Sequence, residues 1–393
     1  EFNRRESMLC TVVKHPVTVD LEAKFDASAR LTGLEAQVLL DSGAYQSVSP
    51  AFAAAMYKKL GRVYDIAHIR YHADAVCTTT PVSGSYRGWS SPEMVLAVEH
   101  LINLAAGQLA MDPLELRLRN IHAPYDLTGT ESCSLGNTRL EDVLRQGAAA
   151  FHWQERRAKS AAQNRNGRYR VGVGMALGSH YCGFYPRKAE NGTAALKLEE
   201  DGTLSLNACI HDHGCGTVTL FANIVAETLK VAPAQVRVLE ADTAYNPYDH
   251  GCYSSRSVYV LGRAVQLCAE KLLEQLRPAA AALLQIPASR LDHNRGGFAD
   301  RDDAGRGCSL REVANYIITR NLSGLFAVYT HTAGDNPGVA TAHFAEVEVD
   351  VYTGMCRVTD YLAVHDIGRA LYPAMCRGQL GGALQQGMGW VFC

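Results

Sequence analysis

The sequence contains no apolar run close to the roughly 18 residues that a membrane-spanning helix needs. It also lacks a basic, apolar leader, so nothing at its start reads as a signal peptide. Neither sign of charge is in excess: 38 Lys and Arg against 40 Asp and Glu leave −2, which gives no electrostatic case for nucleic acid or an anionic membrane. Although there are 12 cysteines, no two form a C-x-x-C pair, so zinc-ribbon and plant-type iron–sulfur spacings are absent. Most of those cysteines read as small buried hydrophobes or incidental thiols. What remains is ordinary globular composition, 47% hydrophobic and 20% charged over 393 residues, enough for two or three domains at about 150 residues each. A soluble, cytoplasmic setting is expected. The chain opens on Glu1-Phe2-Asn3 without Met and stops at Trp390-Val391-Phe392-Cys393 in an unfinished helix, so an internal fragment is expected.

Alternating apolar positions predict a hairpin over Val17–Asp26 and Arg30–Leu40, ended by a turn at Asp41-Ser42-Gly43-Ala44. A helix should start at Ser91-Pro92-Glu93 with Ser91 as its cap, and a short one at Asp112-Pro113 running through Leu118. Polar sequence from Ala123 to Asn137 is read as a boundary, giving domains 1–125 and 135–393. A helix over Leu140–Phe151 and a polar surface stretch to Arg168 follow. Strands are expected over 194–198, 204–208 and 236–239, with helices over 217–229, 254–276 and from the Ser309/Glu312 capping box to Arg320. A last hairpin pairs 342–349 with 357–365. The mixture predicts an α+β fold.

Four segments carry chemistry. In Asp212-His213-Gly214-Cys215-Gly216-Thr217 glycines bracket a turn that enters a helix, and free amides at a helix start suit an anion. The same segment also reads as a plain tight turn. If it is extended, His211, His213 and Cys215 share a face and could ligate a metal. In Asp249-His250-Gly251-Cys252-Tyr253-Ser254-Ser255-Arg256-Ser257, hydroxyls and Arg256 gather at another helix start, more than one cap requires. Ser85-Tyr86-Arg87-Gly88-Trp89-Ser90 is a polar loop holding an aromatic, which either packs or binds. Around Gly378-Gln379-Leu380-Gly381-Gly382, each helical glycine costs roughly 1 kcal/mol against Ala, so another backbone or a ligand should come close.

Together these segments resemble, in order and over nearly the whole chain, the molybdopterin-binding portion of the xanthine dehydrogenase and aldehyde oxidase family, the molybdenum hydroxylases. Tyr86-Arg87-Gly88-Trp89-Ser90-Ser91-Pro92 is similar to its Arg-Gly-aromatic-Gly-x-Pro motif, and Gly214-Cys215-Gly216-Thr217 to its Gly-Gln-Gly-Thr turn. Ser254–Ser257 with Gly262-Arg263-Ala264-Val265 resembles the second cofactor turn. Asp366-Ile367-Gly368 through Gln386-Gly387-Met388-Gly389 is the nearest match.

The resemblance implies two molybdopterin-binding-type domains and a molybdenum–molybdopterin cofactor, as mononucleotide or dinucleotide. It implies insertion of water-derived oxygen into an N-heterocycle or aldehyde carbon, with hydride passing to the molybdenum centre. Iron–sulfur clusters and FAD are expected on other segments or subunits. Arg87, Gly88, Gly214, Cys215, Gly216, Thr217, Ser254, Ser255, Arg256, Ser257 and Gln379 would hold the cofactor. Trp89, Phe184 and Tyr185 would meet the substrate, Trp89 and Phe184 on its two faces. The general-base Glu is expected beyond Cys393 and an earlier glycine-rich segment before Glu1, so this piece alone should be inactive. Cys215 stands where the family usually has Gln, and Ala51–Ala55 lacks the Arg of purine-specific members. Two other readings stay open: an inactive scaffold that only binds partners, and a thiol hydrolase using Cys215 with His213.

Overall fold

A reciprocal Asn3/Glu6 capping box starts α1 (Arg4–Cys10). The expected hairpin is β1 (Val17–Phe25) and β2 (Leu31–Asp41), whose inward side chains Leu31, Leu34, Ala36, Val38 and Leu40 are buried. Then α2 (Ser49–Leu60) brings the chain back, so that β3 (His68–Val76) pairs parallel to β2. Both were absent from the sequence reading. The computed structural model describes residues 1–130, 133–163, 167–303 and 305–392. Next come α3 (Ser91–Gln108), α4 (Pro113–Asn120), α5 (Leu140–Ala150), α6 (Trp153–Gln163) and β4 (Tyr169–His180). The cap of α3 is Ser90, in a left-handed conformation at φ 66°, and not Ser91. Ser91 instead bonds through Oγ to His180 Nδ1 at 2.8 Å. Helix α6 occupies much of the expected surface stretch, because Trp153 and Phe151 bury against Phe344.

The middle of the chain holds β5 (Glu190–Leu198), β6 (Leu204–Ala208), α7 (Thr217–Leu229) and β7 (Val236–Leu239). The expected long helix opens as a π-helical turn, Ser257–Leu261, and continues as α8 (Gly262–Leu284). It runs on past Pro278, and Ala279, Ala280 and Ala281 remain buried beyond it. Short strands β8 (Leu291–Asn294), β9 (Gly297–Asp300) and β10 (Gly307–Ser309) lead to α9 (Leu310–Thr319) and β11 (Phe326–Ala333). The Ser309/Glu312 box caps α9 as expected. The order β11-β5-β6-β7 makes one sheet, covered by α7 and α8.

The last hairpin is β12 (Val339–Asp350) with β13 (Cys356–Asp366), and α10 (Pro373–Phe392) follows. The chain forms two compact units: residues 1–180 with 337–368, and residues 181–336 with 369–393. The compact units therefore do not divide at Ala123–Asn137. That stretch lies inside the first unit, because β12 pairs with β4 and carries the final hairpin there. Each unit has its own core, one around Leu40, Met56, Ile102 and Phe344, the other around Leu196, Phe221, Val265 and Leu272. The fold is α+β. Among the described residues no single helix is long and apolar enough to cross a membrane.

Candidate cofactor site

In the second unit β6 ends at Ala208, so His211, His213 and Cys215 do not lie on a strand as one reading required. Gly214 and Gly216 take φ of 84° and 75°, conformations that glycine adopts without strain, and Gly216 leads directly into α7. Oδ1 of Asp212 accepts the amides of Gly214 at 2.8 Å and Gly216 at 3.1 Å. Burial opposes its charge, yet the amides of Gly216, Gly214, Val218 and Cys215 outweigh that and hold its carboxyl below the ordinary value. A carboxylate of the chain itself thus takes the place expected for an external anion. What this turn offers a ligand is close approach, since a Cβ on Gly214 would meet nothing within 4 Å.

Cys215 Sγ lies 2.9 Å from Thr217 Oγ1, and His213 Nε2 lies 3.0 Å from Cys252 Sγ. His213 therefore faces Cys252, and the Cys215–His213 pair of the thiol-hydrolase reading is not formed. Burial, then the neighbouring Cys215, Cys209 and Asp249, push the Cys252 thiol up, away from a reactive thiolate. Among the described residues no three His, Cys, Asp or Glu side chains are grouped to hold a metal ion.

The His213–Cys252 contact sets the second turn beside the first. Ser254 and Ser255 both take left-handed conformations, φ 58° and 53°, which costs a non-glycine residue roughly 1–2 kcal/mol each. Ser254 Oγ donates to Gly183 O at 2.8 Å, whereas the hydroxyls of Ser255 and Ser257 have no protein partner among the described residues. Arg256 does not offer a free cation, contrary to expectation. It is fully buried, with Nε on Glu190 Oε2 at 2.8 Å and Nη1 on Asp249 Oδ1 at 2.6 Å. Burial opposes its charge, but Asp249 and Glu190 more than offset this and hold its pKa above the ordinary value. Asp249 stands in the same segment, seven residues from Arg256, but Glu190 lies 66 residues away and nothing local marks that pairing.

The start of α10 packs on the first turn, where a Cβ on Gly216 would stand 3.1 Å from Met375 and 3.2 Å from Tyr372. Further along, Gly378, Gly381, Gly387 and Gly389 have nothing within 4 Å of a built Cβ, and Gln379 is exposed. The second unit thus brings together Gly214–Thr217 and Ser254–Ser257, with α10 starting against the first turn. Open glycine backbone and two hydroxyls with no protein partner among the described residues suit a large polar group with a phosphate. The residues fit a pterin cofactor.

Phe184 and Tyr185 also belong to this unit, Phe184 edge-on to Tyr253 with ring centroids 5.1 Å apart. Arg87, Gly88 and Trp89 belong to the first unit. Arg87 is exposed, and Gly88 has φ 91°, with Pro92 Cγ 2.9 Å from where a Cβ would be. Trp89 packs edge-on to Phe52, 5.8 Å between centroids, and Phe52 stacks on His15. The Trp89 Nε1 atom is buried with no hydrogen-bond partner among the described residues.

Two sequence models, both described as a molybdopterin cofactor-binding domain, match residues 1–121 and 146–393. Their division falls near the polar stretch at Ala123–Asn137. A putative xanthine dehydrogenase molybdenum-binding subunit of Escherichia coli is 33% identical over 403 aligned positions, which cover 99% of this chain and 52% of that protein. An aldehyde oxidoreductase of Megalodesulfovibrio gigas is 25% identical, covering 99% of this chain and 41% of its own. The chain spans about half the length of such relatives. Among solved structures, quinoline 2-oxidoreductase from Pseudomonas putida 86 matches with TM-score 0.84 at 23% identity, over 97% of this chain and 51% of that one, which shows the fold. The chain therefore belongs to the molybdopterin cofactor-binding domain family.

Proposed function

We propose that this chain supplies the pterin-binding turns, and part of the substrate wall, of a molybdenum-dependent hydroxylase acting on an N-heterocycle or an aldehyde. One observation carries the reading. The glycine turn, the serine turn and the start of α10 converge in one unit through the His213–Cys252 contact and the packing of Gly216 on Tyr372 and Met375. The bound group supplies a two-electron acceptor and activates water-derived oxygen, chemistry that side chains lack.

The residues divide the remaining work. Gly214 and Gly216 let the ligand reach the backbone, with Asp212 holding their turn rigid. Ser255 and Ser257 donate hydroxyls to a phosphate, and Gln379, exposed on α10, adds a polar contact. Thr217 fixes the Cys215 side chain, which occupies the usual Gln position with a weaker donor. Phe184 orients a flat ring; stacking contributes roughly 0.5–1.5 kcal/mol beyond area burial, which sets orientation more than affinity. Iron–sulfur and flavin partners would supply the electron acceptors. Metal analysis of the full-length protein, with fluorescence of its oxidised pterin, tests the proposal. About one molybdenum and one pterin per chain is expected, and neither would be found if the chain were only a scaffold.

A further inference from the structure

We infer that Glu190 is a positioning residue that ties the serine turn to the loop carrying Phe184 and so fixes one wall of the substrate site; this rests on the proposed stacking role of Phe184. Glu190 is 1% exposed. Its Oε1 accepts the Phe184 amide at 2.5 Å, and its Oε2 accepts Arg256 Nε at 2.8 Å. Both partners are donors, so the position needs an acceptor at each end, which only a carboxylate provides. Arg256 passes the grip on through Asp249 Oδ1 at 2.6 Å, Gly251 O at 3.2 Å and Asn191 O at 2.5 Å.

Two further ties run between the same segments. Gly183, next to Phe184, accepts from Ser254 Oγ at 2.8 Å and from Asn336 Nδ2 at 3.0 Å. Tyr253 stands edge-on to Phe184, and its own ring lies over Gly251, where a Cβ would come 2.6 Å from Cε1. The serine turn and the aromatic loop therefore move as one body, and the geometry of the turn sets the angle of the Phe184 ring. Packing alone would not require two acceptors at a fully buried position.

The test is Glu190→Gln in the full-length protein with its pterin in place. The Gln oxygen stays on Arg256, because the charge-assisted bond is the stronger, and its NH2 then meets the Phe184 amide donor to donor. Hydrogen exchange at Phe184 should quicken at least tenfold, while the peptide over 251–257 and the pterin content stay unchanged. KM for purine should rise several-fold with less change in kcat, and KM for acetaldehyde, which has no ring to stack, should hold. Unchanged exchange at Phe184, or pterin lost in proportion to the gain in exchange, overturns the inference. Faster exchange with an unchanged KM for purine upholds Glu190 and removes the stacking role of Phe184. If the variant does not fold, the native protein decides: a Phe184 amide exchanging as slowly as the core of α8 supports the inference, and one exchanging like exposed loop amides overturns it.

Discussion

At the scale of single residues, thiol environment separates cysteines that the sequence presented alike. Cys215 in the first turn is exposed, as are Cys10, Cys77 and Cys356, whereas burial pushes Cys268 and Cys308 up to about 11. Because the thiolate is the nucleophile, iodoacetamide at pH 8 should label the exposed set within minutes and leave Cys268 and Cys308 unmodified, read by peptide mass spectrometry. Labelling of Cys268 in the folded protein would contradict its place under β11. The glycines of the first turn differ in the same way. Gly216→Val would put a branched side chain at φ 75° against Met375 and Tyr372, and pterin content should fall several-fold. Gly214→Ala meets only open space and backbone strain, so its loss should be smaller. The turn's position was legible, since the glycines bracket a helix start. That Arg256 is spent on Glu190 was not, because a partner 66 residues away leaves no local pattern. Asp212 and Asp249 stand in the turn segments themselves, but their residue type alone does not say that they fold back on the amides and on Arg256.

At the scale of elements, β4 is held to α3 through a histidine kept neutral. Burial, then Lys59 and Arg62, bring His180 down to about 3, and burial with His365 brings His343 on β12 to about 4. In the unfolded chain both return to about 6.5. The unfolded state then binds more protons between the two values, so stability should be full above pH 6.5 and fall as pH drops toward 4. Calorimetry of the apo protein should show Tm declining over that window, and His180→Gln should flatten part of it. A Tm constant from pH 7 to 4.5 would contradict the buried, neutral state. Hairpins β1–β2, β5–β6 and β12–β13 were readable from alternation and turn residues. Helix α2, strand β3 and helix α6 were not. The Ala-rich face of α2 and the Arg-rich surface of α6 show little periodicity, and their placement comes from tertiary burial of Phe52, Met56 and Trp153.

At the scale of the molecule, each unit is pinned by a buried ion cluster. In the first unit Arg117 and Glu99 pair at 2.7 Å, with Glu99 also accepting from Leu177 N and Tyr64. Removing one partner strands a buried charge, so Arg117→Met should cost about 3–5 kcal/mol in denaturant unfolding, far more than any exposed pair such as Arg70–Glu35. A loss below about 1 kcal/mol would show that the cluster is dispensable. The order of motifs along the chain was enough to place it in its family. The interleaving of its units was not legible, because β12 pairs with β4 from more than 150 residues away. The position of the pterin is the central claim. Diffraction from the full-length protein at the molybdenum absorption edge would show it directly. One anomalous peak is expected beside Gly214-Cys215-Gly216, within reach of Gln379, with pterin density running toward Ser255 and Ser257. A peak away from both turns, or none in protein shown by metal analysis to be loaded, would contradict it.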